Sequence, residues 1–231
     1  MESLQDRNVF FVGDNFYGMP DYALKLANAL ESQGIDYFIQ TTVNAADNPK
    51  FLEALEKSGC KGILVGFEST EQSALAGASK GQYKSSDYPA QIKRFHDHGL
   101  WIYGSFVVGF DTDTVATFAA IYEFCQANKI EFPVVPILTP DPGTAMFRHM
   151  ESRIIQPVDW DKFDRNHVVY NPANMSAEEL SAGTDELKRK LYSKTATAER
   201  MEQAQLPAKL TFSNLALALN YSMCRLMAGN W

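Results

Sequence analysis

Cysteine is scarce in this chain: three thiols, Cys60, Cys125 and Cys224, stand in 231 residues with 64 and 98 residues between them. That number and spacing exclude a disulfide framework and a zinc site. The odd count fits a reducing compartment, and all three read as buried thiols. Histidine is almost as rare. His96 and His98 stand two apart at a predicted helix end, so they share no helical face and read as partners of the local dipole or of solvent. His149 and His167 fall where a loop hydrogen bond is the expectation. Clustered positive charge is missing as well: the net charge is -7 and the basic residues are scattered, which argues against a surface that tracks nucleic-acid phosphates. No apolar run reaches bilayer length. The stretch 215–227 is about two-thirds of a span; Asn220, Ser222 and Arg225 interrupt it, so a packed helix is expected and no membrane. The polar opening, Met1 to Arg7, runs directly into a strand and leaves no room for a secretory signal, so a cytoplasmic location is expected. Phosphate-loop and zinc signatures, Ser/His/Asp and Cys/His arrangements, internal repeats and low-complexity linkers are all absent.

What the chain does have is apolar material, 45% of its residues, in short runs that alternate with helical patterns. Val9-Phe10-Phe11-Val12-Gly13 reads as a strand buried on both faces and closed by Gly-Asp-Asn. A helix over 20–33 follows, with Pro20 near its first turn and Gly34 as its stop; 37–43 is then a second strand. The rhythm repeats: helix 48–58 stopped by Gly59, strand 62–66, helix 87–98 stopped by Gly99, strand 100–108, helix 114–128, strand 132–138. Single helices between strands at this spacing imply right-handed crossovers and an all-parallel sheet, hence an α/β fold built as a parallel (β/α) barrel. After Met146 the pattern changes to aromatic and charged loops around Trp160, Phe163 and His167. Two helices follow, the first opened by a Ser176–Glu179 capping box and the second capped by Ser213. The expected division is 1–146 for the barrel and 147–231 for a loop-rich, helical extension packed on it.

In parallel α/β folds ligands bind where the carboxyl ends of the strands converge, which selects four loops. They are Gly13-Asp14-Asn15, Gly66-Phe67-Glu68-Ser69, the run from Gly109 to Thr114, and Pro140-Asp141-Pro142-Gly143-Thr144. Each joins a glycine, which lets a ligand approach the backbone, to a carboxylate or hydroxyl that can fix its polar groups. Two readings stay open at most of these positions. Asp111, Thr112 and Asp113 serve equally as helix caps, and Asp14 and Asn15 as turn formers. Glu68 points more firmly to function, because a carboxylate directly after Ile-Leu-Val-Gly-Phe lies at the barrel mouth, where desolvation demands a partner.

These loops resemble radical S-adenosylmethionine (SAM) enzymes, particularly those fused to a cobalamin-binding domain. The resemblance rests on five stretches in order. They are Phe11 to Phe16, Ser58 to Ser69, His98 to Thr114, Leu138 to Thr144, and the group Arg153-Ile154-Ile155, Asp159-Trp160 and His167 to Tyr170. It implies a partial barrel of the radical SAM type in which SAM is the cofactor, bound by Asp14, Asn15, Gln40, Glu68, Ser69, Val108, Gly109, Asp113 and Thr139. Asp14 or Asn15 would approach the methionine amino group, Glu68 and Ser69 the carboxylate or ribose side, and Val108 and Gly109 the adenine. Residues 139–144 would face the substrate.

One family feature is missing from the printed sequence. The family's 4Fe-4S cluster is held by three closely spaced cysteines after the first barrel strand, whereas this chain resembles the family from the second strand onward and its cysteines lie far apart. The resemblance therefore implies a barrel truncated at its N-terminus, with cobalamin reached only through a domain outside this sequence. The cluster segment would come from elsewhere, as in a split enzyme. A partner polypeptide, self-association or the C-terminal helices would cover the apolar edge strand at 9–12. The alternatives are a non-catalytic SAM- or nucleoside-binding scaffold, and a hydrolase or lyase using Asp14, Glu68, Asp111 and Asp113 around a divalent metal.

Overall fold

The computed structural model describes residues 8–77, 83–202, 219, 220, 222 and 223. The apolar runs become strands β1 (Asn8–Phe11), β2 (Asp36–Thr41), β3 (Cys60–Glu68), β4 (Trp101–Phe106) and β5 (Phe132–Val134). They pair in chain order, β1-β2-β3-β4-β5, and every pairing is parallel. Between and after them run α1 (Pro20–Leu30), α2 (Pro49–Ser58), α3 (Gln72–Gly77), α4 (Tyr88–Asp97), α5 (Val115–Ala127), α6 (Ala145–Met150), α7 (Ala177–Leu191) and α8 (Lys194–Glu202). Prolines open α1, α2 and α4 where their missing N–H costs nothing, and Asn48 caps α2 by accepting from the Phe51 N–H. Gly34, Gly59 and Gly99, the expected stops, all adopt positive φ.

Crossovers that always step in the same direction put their helices on one face of the sheet and leave the other face free of them. Register confirms two distinct faces. Ile39, Ile63 and Ile102 lie side by side and are fully buried, with Phe67 and Phe106 stacked at 5.2 Å beyond them against Tyr88 of α4 and Phe124 of α5. On the opposite face Gln40, Leu64 and Tyr103 form one row, and Gly66, Ser105 and Val134 the next; all are only half-buried. At the amino ends of the strands this second face is closed by aromatic rings. Phe38 stacks on Trp101 with centroids 4.9 Å apart, lying across Gly62, and Phe10 extends the row at 5.1 Å from Phe38. A Cβ on Gly62 would sit 2.5 Å from the indole, so the floor depends on that glycine.

Several expectations change. The strand at 9–12 is not buried on both faces: it is an edge, Phe10 is 45% exposed and Val12, just past its end, is 88% exposed. The 132–138 strand shortens to three residues, with one further bridge at Ile137, because Pro133 and Pro136 have no N–H to give. The short helices α3 and α6 and the polar α8 were not anticipated from periodicity. The Ser176–Glu179 capping box forms as expected, the Glu179 side chain accepting from the Ser176 N–H at 2.7 Å and the Ser176 hydroxyl from the Glu179 N–H at 3.1 Å. The cap at Ser213 and most of 215–227 lie outside the described residues. No described helix is long and apolar enough to cross a membrane.

Candidate functional site

The open face leads, at the carboxyl ends of β4 and β5, into a cleft of about 410 Å³. Ser105, Val107, Pro136, Leu138, Thr139 and Met146 line it, and Asp141 and Arg165 border it as an ion pair at 2.8 Å. Its lining is largely apolar with a few polar atoms, and its volume falls within the usual range for small-molecule sites. Burial lifts the pKa of the Tyr103 phenol, which stands in the row below, so Tyr103 is a neutral hydrogen-bonding group there.

Around this mouth the expected residues divide. Gln40 stands on the open face in the row with Tyr103, and Thr139 lines the cleft while its hydroxyl donates to the Ile137 carbonyl at 3.2 Å. Glu68 ends β3 at a register shift with φ +63°, a left-handed conformation uncommon for a residue with a Cβ and enriched at functional sites. Ser69 is buried, and its hydroxyl accepts from the Glu71 N–H at 3.0 Å, shaping the turn. Asn15 caps the turn at Phe16–Gly18 by accepting from the Tyr17 N–H, and Asp14 beside it is exposed. Val108 is buried, its backbone committed to Pro136 and Leu138.

Asp113 takes a role its sequence context left open. The helix cap of α5 is Thr114, whose hydroxyl accepts from the Ala116 N–H. Asp113, 2% exposed, turns back on its own loop, and its Oδ2 accepts from the Gly109 N–H at 2.8 Å and the Phe110 N–H at 3.0 Å. Burial pushes its pKa up, the two backbone N–H groups pull the other way, and Glu71 adds to the rise. Gly109 has φ +105°, and a Cβ there would lie 2.2 Å from the Tyr170 hydroxyl, so no other residue fits. Asp111 pairs with Arg153 at 2.7 Å.

Ser105, Val107, Met146 and Arg165 were not nominated from sequence. Period-two counting from Trp101 would have found Ser105 and Val107; Arg165 arrives from 59 residues beyond the end of β4 with no local signal. Among the described residues, no three His, Cys, Asp or Glu side chains are grouped to hold a metal ion. His98 meets Glu56 at 2.7 Å, His96 meets Glu131 at 3.3 Å and His167 meets Asp164 at 3.0 Å.

No family model matches the chain. In sequence it is similar to two methyltransferases of Chlorobaculum tepidum. It is 34% identical to bacteriochlorophyllide d C-12(1)-methyltransferase over 192 residues, which is 83% of this chain and 42% of that protein. It is 32% identical to bacteriochlorophyllide d C-8(2)-methyltransferase over 142 residues, 61% of this chain and 32% of that protein. The chain thus spans less than half the length of these curated relatives. In fold it is similar to the radical SAM methyltransferase TsrM of Kitasatospora setae, with a TM-score of 0.58 at 13% identity over 95% of this chain and 42% of that one. The homologues are methyltransferases and the fold is shared with a radical SAM enzyme.

The mouth fits SAM in kind: Ser105 and Thr139 bring polar atoms to an apolar slot beside Val107 and Leu138, and half-buried Gln40 and Tyr103 stand in the row below on the same face, a mix that a ligand with a nucleoside at one end and a charged amino acid at the other requires. The described residues do not fit an iron-sulfur cluster. Cys60 begins β3, eight steps and roughly 26 Å from the mouth end at Glu68. Cys125 is buried in α5, and Cys224 lies outside the described residues. Burial pushes the Cys60 thiol up to about 12 and the Cys125 thiol higher still, the reverse of what a thiolate ligand needs.

Proposed function

We propose that this chain is the SAM-holding arc of a radical-SAM-type methyltransferase, five strands of a partial (β/α) barrel whose cluster-binding segment is supplied from elsewhere. The carrying observation is the register of the open face, which sets Gln40 and Tyr103 in one row and Ser105 in the next, leading into a cleft of about 410 Å³ at the carboxyl ends of the strands. Two methyltransferases similar over 83% and 61% of the chain support the reading. SAM, when bound, brings the methyl group. The chain's own residues bind and orient it: Ser105 and Gln40 offer a hydroxyl and an amide to its polar groups, Val107 and Leu138 flank its base, and Asp113 holds the loop at Gly109 in shape. Asp14 and Glu68, at the ends of β1 and β3, take the methionine end. The methyl acceptor sits against 139–144. No electron-transfer step is assigned to these residues, since their thiols do not suit a cluster. A partner segment would pair with the open edge of β1. A non-catalytic SAM- or nucleoside-binding scaffold is the second reading, favoured by the same inert thiols.

Titration calorimetry with SAM and with S-adenosylhomocysteine tests the binding claim. One saturable site with a dissociation constant near or below about 100 μM is expected. Ser105→Leu, which fills the cleft, should weaken it by about tenfold or more. Absence of heat with either nucleoside counts against both readings. Anaerobic reconstitution with iron and sulfide separates them from a self-sufficient enzyme: the chain alone should stay colourless, and a brown, SAM-cleaving preparation would defeat the split arrangement.

A further inference from the structure

We infer that residues 153–174 form a clasp that fixes the loop after β4 from outside the sheet, so that Tyr170 and Arg153 are positioning residues for whatever binds at the mouth. The loop has two sets of supports. One is local: the Asp113 carboxylate on the N–H groups of Gly109 and Phe110. The other comes from 42 to 63 residues away, and its three bonds fall on Gly109 and Asp111. The Tyr170 hydroxyl donates to the Gly109 carbonyl at 2.5 Å, Arg153 Nη1 donates to Asp111 Oδ1 at 2.7 Å, and Asn174 Nδ2 donates to the Asp111 carbonyl at 2.6 Å.

The clasp is itself braced. Its two legs run antiparallel, the Ile155 N–H donating to the Val169 carbonyl at 3.0 Å and the Asn171 N–H to the Arg153 carbonyl at 2.9 Å. Arg153 Nε reaches the Asn171 carbonyl at 2.8 Å, and its guanidinium lies over the Tyr170 ring at 5.6 Å. Tyr170 is fully buried, and burial keeps its phenol protonated and therefore a donor. Without that hydroxyl the Gly109 carbonyl would be left unpaired in a closed space, and the loop would shift to satisfy it. Because the loop borders the cleft through Val107, a shift there moves the wall against which the ligand's base lies. This last step rests on the proposed SAM site; the clasp itself does not.

Hydrogen exchange at 109–113 and calorimetry with SAM, run on the full chain and its variants, decide both parts. Tyr170→Phe should speed exchange at the loop and weaken SAM by about tenfold, the scale of one buried hydrogen bond, while exchange in β2 and β3 stays at the parent rate. Arg153→Met should do the same more weakly, and Arg153→Lys should recover part of the loss. Asp111→Asn, at an exposed side chain, carries the test if Tyr170→Phe fails to fold. Loop exchange unchanged in these variants would overturn the clasp. Faster exchange with SAM affinity within about twofold of the parent would overturn its role in binding. A parent that takes up no SAM would overturn the functional reading and the ligand half of this one, while the exchange data still decide the clasp.

Discussion

Along β5 the outward backbone is used up. Pro133 and Pro136 have no N–H to offer, the Pro133 carbonyl accepts from the Tyr192 hydroxyl at 2.6 Å, and the Glu131 carbonyl accepts from Asn220 Nδ2 at 2.7 Å. The Ile137 N–H donates to the Arg165 carbonyl at 2.8 Å, and the Tyr192 ring packs on Phe132 at 5.7 Å. Along β1 none of this is found: among the described residues it pairs with β2 alone, and it presents Phe10, with Val12 just beyond, to solvent. Proteins blunt free strand edges with proline, charge or a covering element because a bare edge templates pairing. β5 carries the first and third of these devices and, among the described residues, β1 carries neither, so the two sides of one sheet differ in what they invite.

Four substitutions sharpen or break that contrast. Tyr192→Ala should cost about 3–5 kcal/mol in urea denaturation, since it removes a buried ring and uncovers the Pro133 carbonyl together. Tyr192→Phe isolates the carbonyl and should cost about 1–2 kcal/mol; a neutral result would mean that β5 is sealed by packing alone. Phe10→Lys should change stability by under about 1 kcal/mol, its main loss being the ring contact with Phe38. Its effect should appear in sedimentation velocity instead, as less self-association at high concentration; identical profiles for parent and variant would show that the β1 edge is not a pairing template. Val12→Lys should stay within about 0.5 kcal/mol in thermal melts, as expected of a side chain with almost no contacts.

Sequence reading reached the strands and most of the long helices because their signals are local. Apolar runs end at glycine, and prolines, Asn48 and Ser176 mark helix starts. It placed Glu68 and Thr139 at the carboxyl ends through the same logic, whereas Gln40 followed only from the family resemblance. The apolar run 132–138 continues past the point where the ladder stops, because Pro133 and Pro136 remove donors without interrupting the apolar pattern. Sequence reading could not assign Asp113 between cap and ligand, because the answer lay in which backbone N–H groups the folded loop would turn toward it. Tyr170 and Arg165 were out of reach: each meets the mouth across dozens of residues, and no periodicity encodes such a contact. Glu68 was singled out for its charge, whereas its φ of +63° is visible only in three dimensions.

A sheet whose spatial order repeats its chain order also has a kinetic meaning. Each strand from β2 to β5 joins the neighbour that was synthesised just before it, so the ladder can lengthen one rung at a time as the ribosome delivers it, with little search among distant partners. The clasp is the exception. Tyr170 reaches back to a glycine 61 residues earlier, which makes the fastening of the mouth a late event and leaves the growing sheet unlatched until the extension has been made.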